Sequence, residues 1–190
     1  MNLIAVPVLN LSLSWRKQRL HTAAGALLAL LFISHNGAAS AAPDAAVWHG
    51  KVSHVVDGDT IKVRPAEGGK PLSVRLRDID APEICQAGGK ASREALKALV
   101  AGRKVAVNGR HHDDYGRVLA RITLDGRDVG EVMVVKGQAW SYRYRKNPGR
   151  YAAQQAEAEA ARRGLFAPQA GGDEPVHPRD FRKQHGSCYR

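Results

Sequence analysis

Between residues 47 and 124 the chain contains five short runs rich in Val, Ile, Leu and Thr, and turn-forming residues separate them. Runs of this length and composition are typical of β-strands. One of them, Leu72–Leu76, alternates apolar and polar side chains, which indicates a strand with one buried face. We therefore predict five mostly antiparallel strands: Val47–Val56, Thr60–Val63, Leu72–Leu76, Lys104–Val107 and Arg117–Leu124.

Three helical patterns accompany these strands. Ser92–Val100 places its apolar residues on one face, and Asp128 begins a second helix that ends at Gly137. Tyr151–Arg163 is rich in alanine, which favours a third helix. This order of elements predicts an α+β, mainly β fold: a five-stranded oligonucleotide-binding barrel with about three helices. Residues 168–190 are rich in Pro, Gly and charge, so we predict an irregular C-terminal tail there.

The chain is basic: 29 Lys and Arg stand against 18 Asp and Glu, which gives a formal net charge of +11 over 190 residues. Its hydrophobic content of 44% and charged content of 25% exclude a collagen, a coiled coil, a multi-span membrane protein and a largely disordered chain. The length predicts a single domain. The positive charge is typical of a protein that binds a polyanion such as nucleic acid, although solubility alone also explains it.

The first 41 residues differ in character from the rest. Arg16, Lys17 and Arg19 precede the apolar stretch Ala23–Ile33, and small residues follow it. A positive segment, an apolar core and an Ala-x-Ala site are typical of a secretory signal peptide. We expect cleavage after Ala41 rather than a membrane anchor, because a spanning helix needs roughly 20 apolar residues and this core is shorter.

Export would place the barrel domain, expected over residues 42–167, in the periplasm or the medium, with no stable membrane association. The chain contains two cysteines, Cys85 and Cys188. An even pair in an exported chain favours a disulfide, which here would tie the tail to the segment after Glu83. Two free thiols are the alternative. A zinc site is not expected, because the sequence has no Cys-x-x-Cys motif.

Two acidic clusters interrupt the predicted strands: Asp57-Gly58-Asp59-Thr60, and residues 75–83 with the sequence RLRDIDAPE. Turn chemistry alone explains Asp57-Gly58, and a solvated loop made rigid by Pro82 explains the second cluster. Neither explanation covers Asp59. Carboxylates from two separate strands would supply half of the oxygen shell of a hard cation such as Ca²⁺, and nearby arginines would bind phosphate.

Three motifs in order resemble those of the thermonuclease (staphylococcal nuclease) family. They are Val56-Asp57-Gly58-Asp59-Thr60, then Arg75-Leu76 followed by Ile79-Asp80-Ala81-Pro82-Glu83, and finally Tyr115-Gly116-Arg117. Each motif alone is weak, whereas their order and spacing together are specific. The resemblance spans about Val47 to Phe166. It implies a calcium-dependent phosphodiesterase on an oligonucleotide-binding barrel, one that cleaves DNA and RNA and leaves 3′-phosphates.

The same resemblance implies a metal site. Asp59 and Asp80 would bind Ca²⁺ through their carboxylates, and Ala81 would bind it through its backbone carbonyl. Asp57 would orient water from outside the ligand shell.

It also implies roles in catalysis and substrate binding. Glu83 would position or activate the attacking water. Arg75 and Arg117 would bind the scissile phosphate, and Arg117 would also help the 5′-oxygen to leave. Three tyrosines are candidates to stack on the nucleotide: Tyr115, Tyr142 and Tyr144.

The run His111-His112-Asp113-Asp114 suggests a transition-metal site, but adjacent side chains of one loop rarely converge on one ion. We favour a solvated turn before Tyr115. The alternative function is a non-catalytic, basic nucleic-acid-binding barrel, which has no need of both acidic clusters and both arginines. Their presence together favours a nuclease, which we expect to act as a monomer.

Overall fold

The computed structural model describes residues 47–168 and 174–188, so the predicted signal peptide lies outside the described residues. The described chain contains eight strands and four α-helices. The strands are β1 (Val47–Val55), β2 (Thr60–Pro65), β3 (Leu72–Leu76), β4 (Ile79–Asp80), β5 (Lys104–His112), β6 (Val118–Leu124), β7 (Arg127–Asp128) and β8 (Trp140–Ser141). The helices are α1 (Gly89–Val100), α2 (Val129–Val135), α3 (Ala152–Ala160) and α4 (Pro178–His185), and a 3-10 turn spans Gly164–Phe166.

Five of the strands close a barrel. Their order is β3-β2-β1-β5-β6, and β3 pairs in parallel with β6, which joins the two ends of the sheet. The other four pairings of the ring are antiparallel. The sequence prediction of a mainly β, five-stranded barrel is therefore confirmed. The short strands β4 and β8 pair with each other beside the barrel and carry Asp80.

Side chains that alternate between the two faces of each strand fill the interior of the barrel. In β6 every second residue is buried, so one face of the strand lies in the core. α1 and α2 cover the barrel, and Leu96 and Met133 of these helices are fully buried. The core is almost entirely aliphatic and includes Ile61, Val63, Val74, Leu76, Val105, Val107 and Ile122. Such a core gives the strand ends a rigid frame.

The end of β5 differs from the sequence prediction. β5 continues past Val107 to His112, because a register shift between Asn108 and His111 keeps it paired with β6. The close approach of the β6 backbone at Gly109 leaves no room for a Cβ there. His111 and His112 are thus strand residues, and the turn begins only at Asp113.

The prediction of an irregular tail over residues 168–190 is wrong for Pro178–His185, which form the helix α4. Pro178 occupies the first turn, and the His177 ring accepts a hydrogen bond from the backbone N–H of Arg179 at 3.2 Å. These are helix-start signals, but they precede a mostly charged segment without an apolar stripe. In residues 47–168 and 174–188, no helix has the length and apolar character needed to cross a bilayer.

Candidate active site

The two acidic clusters meet at one guanidinium group. Arg75 Nη1 lies 2.6 Å from Asp59 Oδ2, and Arg75 Nη2 donates a hydrogen bond to Asp80 Oδ1 at 3.0 Å. Asp59 directly precedes β2, Arg75 lies in β3 and Asp80 lies in β4, so three segments of the chain converge here. Both carboxylates are buried, with 6% and 1% of each residue exposed. The predicted convergence of Asp59 and Asp80 is what the fold produces.

One of the guanidinium nitrogens of Arg75 lacks an aligned hydrogen bond within the described residues. Its Nη1 is buried and forms an ion pair with Asp59 but no aligned hydrogen bond within the described residues. Burial alone would lower the pKa of Arg75, but the neighbouring carboxylates, Asp59 foremost, outweigh it and raise the pKa. The guanidinium is therefore held by charge more than by hydrogen-bond direction.

Close backbone packing brings the two acidic loops together. A Cβ at Gly58 would collide with Ser92 of α1 and with the side chain of Ala81. Asp59 Oδ2 accepts a hydrogen bond from the backbone N–H of Ala81 at 2.9 Å. Gly58 is thus more than a turn residue, because its lack of a side chain lets the first loop lie against the second.

Asp57 adds a third carboxylate. Its Oδ1 accepts a hydrogen bond from the backbone N–H of Asp59 at 3.1 Å, which places it directly beside that residue. Burial, and next the charge of Asp59, raise the pKa of Asp57 to about 7. Ionisation of Asp57 is therefore disfavoured in its buried position beside Asp59.

Glu83 lies in the loop between β4 and α1, with its side chain 16% exposed. Its backbone N–H donates to Gln86 Oε1 at 3.1 Å, and its carbonyl accepts from the Gln86 N–H at 2.8 Å. Its carbonyl also packs so closely on Gly89 that no Cβ would fit there. These contacts fix the backbone that carries the Glu83 carboxylate.

Arg117 follows the tight turn that begins at Asp113. Asp113 Oδ2 accepts from Arg117 Nε at 2.8 Å, and its Oδ1 accepts from the Arg117 backbone N–H at 2.9 Å. Arg117 Nη1 reaches Thr60 Oγ1 at 3.3 Å, and Thr60 in turn donates to Asp59 Oδ1 at 3.0 Å. The predicted solvated turn therefore also fixes the position of Arg117, and it directs the guanidinium towards Asp59 and Asp80.

These groups surround a cavity of about 510 Å³. Its walls include Asp57, Asp59, Ala81, Glu83, Arg75, Arg117 and Tyr115. Tyr115 is 84% exposed at the cavity, and the Arg117 guanidinium lies 5.3 Å from its ring centre. Tyr142 and Tyr144 are exposed but are not among the cavity walls. Stacking of these two on a nucleotide stays a prediction.

A larger cavity of about 740 Å³ lies elsewhere, between the start of α1, the 3-10 turn and α4. Leu165, Val176 and Phe181 give it apolar walls, and none of Asp59, Asp80 and Glu83 borders it. The smaller cavity is the candidate active site, because its walls include Asp57, Asp59, Glu83, Arg75 and Arg117.

One residue of the site escapes the sequence analysis. Arg182 of α4 enters the cavity, where its Nη1 lies 2.7 Å from Glu83 Oε1 and its Nη2 lies 3.1 Å from Asp80 Oδ2. Burial would lower the pKa of Arg182, but its hydrogen bonds to Glu83 and Asp80 raise it. The signal that points to this placement is Cys188, six positions further along the chain.

A disulfide joins Cys85 and Cys188, with their Cα atoms 5.8 Å apart. The backbone N–H of Cys85 also points to Cys188 Sγ at 3.2 Å. The bond ties the tail to the loop that carries Glu83, which is the connection expected from the sequence.

The chain was compared with known proteins. The sequence model of the family described as "Staphylococcal nuclease homologue" matches residues 73–167. An "Uncharacterized endonuclease" of Escherichia coli is 40% identical over 120 residues, which cover 63% of this chain and 77% of that protein. "Protein ParB" of Escherichia coli is 38% identical over 130 residues, covering 64% and 68%. "Micrococcal nuclease" of Shigella flexneri is 36% identical over 132 residues, covering 65% and 75%.

Proposed function

The chain belongs to the staphylococcal nuclease family and is a nuclease, and from that premise we propose a calcium-dependent hydrolase that cleaves DNA and RNA to 3′-phosphate products. One observation carries the proposal. Asp59, Glu83 and the guanidinium of Arg117 line one cavity, and the buried carboxylate of Asp80 joins them through Arg75, which contacts both Asp59 and Asp80. This is the set of charges that phosphodiester hydrolysis requires.

The residues present fit a hard cation. Ca²⁺ takes six to eight oxygen ligands from carboxylates, carbonyls and water. Asp59 and Asp80 offer carboxylate oxygens, the Ala81 carbonyl is the proposed third protein ligand, and water and substrate oxygens would complete the shell. In the described part of the chain no three acids, His or Cys gather into a metal-binding group by themselves, so the protein share of the shell is small.

The charge balance supports the same fit. Asp57 lies directly beside Asp59, and burial and next the charge of Asp59 raise the pKa of Asp57 to about 7. A bound divalent cation would reduce the repulsion between these two carboxylates. When bound, it would polarise the scissile phosphate and lower the pKa of its bound water.

Glu83 is the proposed acceptor of the proton from the attacking water. The water oxygen forms a new bond to phosphorus, and the bond from phosphorus to the 5′-oxygen breaks. Glu83 takes the water proton, and the departing 5′-oxygen takes a proton from solvent water, so the products are a 3′-phosphate and a 5′-hydroxyl. The hydrogen bonds between the Glu83 backbone and Gln86 keep this carboxylate at the cavity wall.

Arg75 and Arg117 are the proposed phosphate-binding groups. A guanidinium binds phosphate oxygens through paired N–H donors and stabilises charge as the ester breaks. Asp113 holds the Nε side of Arg117, which leaves the Nη1 end directed to Thr60 and the cavity. Arg117 is thus oriented to assist the departing 5′-oxygen. Tyr115, at the cavity wall, is the proposed stacking surface for a base.

Digestion of plasmid, heat-denatured DNA and RNA, in Ca²⁺ and then in excess EGTA, tests this function. We expect cleavage in Ca²⁺ and none in EGTA. Product ends that a polynucleotide kinase phosphorylates at 5′, but that a polymerase extends only after phosphatase treatment, would support 3′-phosphates. Cleavage that persists in EGTA contradicts the calcium mechanism, and binding without cleavage would favour a non-catalytic barrel.

Asp80→Asn tests the metal site. Removal of one buried carboxylate charge should weaken Ca²⁺ binding at least about tenfold, measured by titration calorimetry. Asp125→Asn is the matched control, because Asp125 pairs only with Arg103 at an exposed turn in the described structure. An unchanged calcium dependence in Asp80→Asn would count against its role as a ligand.

We further propose export to the periplasm or the medium and action as a monomer. Support comes from the disulfide between Cys85 and Cys188, since such bonds persist in oxidising compartments. Amino-terminal sequencing of the mature protein, which should begin at Ala42, tests the cleavage site. Gel filtration with light scattering tests the monomer.

A further inference from the structure

We propose that Arg182, held also by Glu83, is a tethered internal counter-ion that competes with the divalent cation for Asp80 and so sets the metal affinity of the site. The inference rests on the proposed calcium-dependent function. It assigns a role to the C-terminal segment, which lies beyond residues 73–167 matched by the family model.

Arg182 contacts both acids at once. Its Nη2 donates to Asp80 Oδ2 at 3.1 Å, and its Nη1 donates to Glu83 Oε1 at 2.7 Å and lies 3.4 Å from Asp80 Oδ1. Asp80 Oδ1 also accepts from Arg75 at 3.0 Å. Both oxygens of Asp80 are therefore engaged by guanidinium groups.

Engagement of these oxygens opposes metal binding for two reasons. An ionised carboxylate offers only lone pairs, and the same lone pairs must serve the N–H donors and the cation. A guanidinium this close to a divalent ion also repels it, and partial burial weakens the screening of that repulsion. Arg182 must shift away from Asp80 before the ion is fully bound, so its contacts count against metal affinity.

Contacts before and after α4 attach the tail to the rest of the protein and place Arg182 at the site. Before α4, Gln86 Nε2 donates to the Val176 carbonyl at 2.5 Å, and the His177 ring packs on Trp140 with ring centres 5.3 Å apart. After α4, Cys188 is bonded to Cys85. Both Gln86 and Cys85 belong to the loop that carries Glu83, so these contacts hold Arg182 against its partners.

The contact is also released more easily than the barrel contacts. The Arg182 side chain is 39% exposed, whereas that of Arg75 is 15% exposed. A half-exposed arginine on a surface helix can swing into water without opening the core. This is the behaviour expected of a competitor that yields to the cation, and not of a fixed structural ion pair.

Titration calorimetry of the metal-free, oxidised protein with CaCl₂ tests the proposal without any activity measurement. We expect Arg182→Ala to lower the calcium Kd roughly three- to tenfold. Lys183→Ala is the matched control: it removes the same charge from the same helix, but Lys183 pairs with Asp180 and lies outside the cavity walls. Its Kd should equal that of the wild type. Arg182→Lys, which keeps the charge, should restore most of the wild-type Kd.

A Kd that is unchanged or higher in Arg182→Ala overturns the proposal, as does an equal decrease in Lys183→Ala. Failure of Arg182→Lys to restore the Kd also contradicts competition by charge. Cys188→Ser removes the disulfide after α4 and should also lower the calcium Kd. An unchanged Kd in Cys188→Ser would show that the disulfide is not needed to hold Arg182 at the site. Absence of calcium binding in every variant would refute the proposed function itself, whereas equal measurable constants refute only the role of Arg182.

Discussion

The acidic cavity is built from two regions that hold their charges in different ways. Asp59 directly precedes β2, and Arg75 and Asp80 lie in β3 and β4, where strand pairing and an aliphatic core fix the backbone. Arg182 stands on α4, which in the described structure reaches the barrel through a disulfide and a few side-chain contacts. The first region is a permanent part of the fold, and the second is attached to it.

Each way of holding a charged group suits a different function. Catalysis needs groups held within a fraction of an ångström, which rigid strands provide. Adjustment of metal affinity needs a group that binds and releases, which a half-exposed arginine on a tethered helix provides. Mutations in the two regions should therefore impair different properties of the protein.

The largest effect is expected from the barrel region. Glu83→Gln and Arg117→Ala should each lower the rate of DNA cleavage by about 10² to 10⁴, because each removes a group to which the proposed mechanism assigns a role in the transition state. Initial rates on denatured DNA at saturating Ca²⁺ measure this, and circular dichroism verifies the fold. Glu94→Gln and Arg103→Ala are matched controls, because both residues form exposed ion pairs on the surface. A near-normal rate in Glu83→Gln or Arg117→Ala would refute its assigned role.

A smaller effect is expected where the tail joins the barrel. Cys85→Ser with Cys188→Ser opens a loop of 103 residues, for which the chain-entropy account gives a stabilisation of up to about 4–5 kcal/mol. We expect the free energy of unfolding in urea to fall by about 2–4 kcal/mol while the β-rich circular dichroism spectrum persists. Loss of the barrel spectrum would mean that the two regions are not separable. Reduced wild-type protein is the control, and it should match the double variant.

The two regions also differ in how far the sequence predicts them. Strand alternation and the acidic turn Asp57-Gly58-Asp59 are local signals, so the barrel and its acids follow from short stretches of chain. The helix α4 has no apolar stripe, and its charged residues resemble those of any solvated tail. Its site residue, Arg182, depends on a contact with Asp80 across 102 positions. Only the pairing of Cys85 with Cys188 signals this contact in the sequence.

The sequence pattern also fails to predict that β5 extends beyond Val107. Asn108 and Gly109 interrupt the apolar pattern, and pairing with β6 across a bulge restores the strand beyond them. The role of Asp113 could not be predicted from the sequence, because a turn already accounts for an Asp at this position. Its hydrogen bond with the Arg117 side chain depends on side-chain geometry. Local patterns therefore locate the strands and their turns, whereas the partners of a charged side chain emerge only from the folded chain.

The smallest effect is expected at Asp57, whose ionised form is disfavoured in the folded protein. Burial and Asp59 raise the pKa of Asp57 from its ordinary 3.8 to about 7, so folding disfavours its ionised form. This destabilisation is absent below about pH 4, grows between these two values and is complete above about pH 7. Asp57→Asn should therefore raise the Tm of the metal-free protein by a few degrees at pH 8 and by less at pH 5. Differential scanning calorimetry in EGTA measures both values, with Asp180→Asn on the tail as control. An equal gain at both pH values would contradict the buried-charge explanation, and a lower Tm would show that Asp57 stabilises the acidic cavity after all.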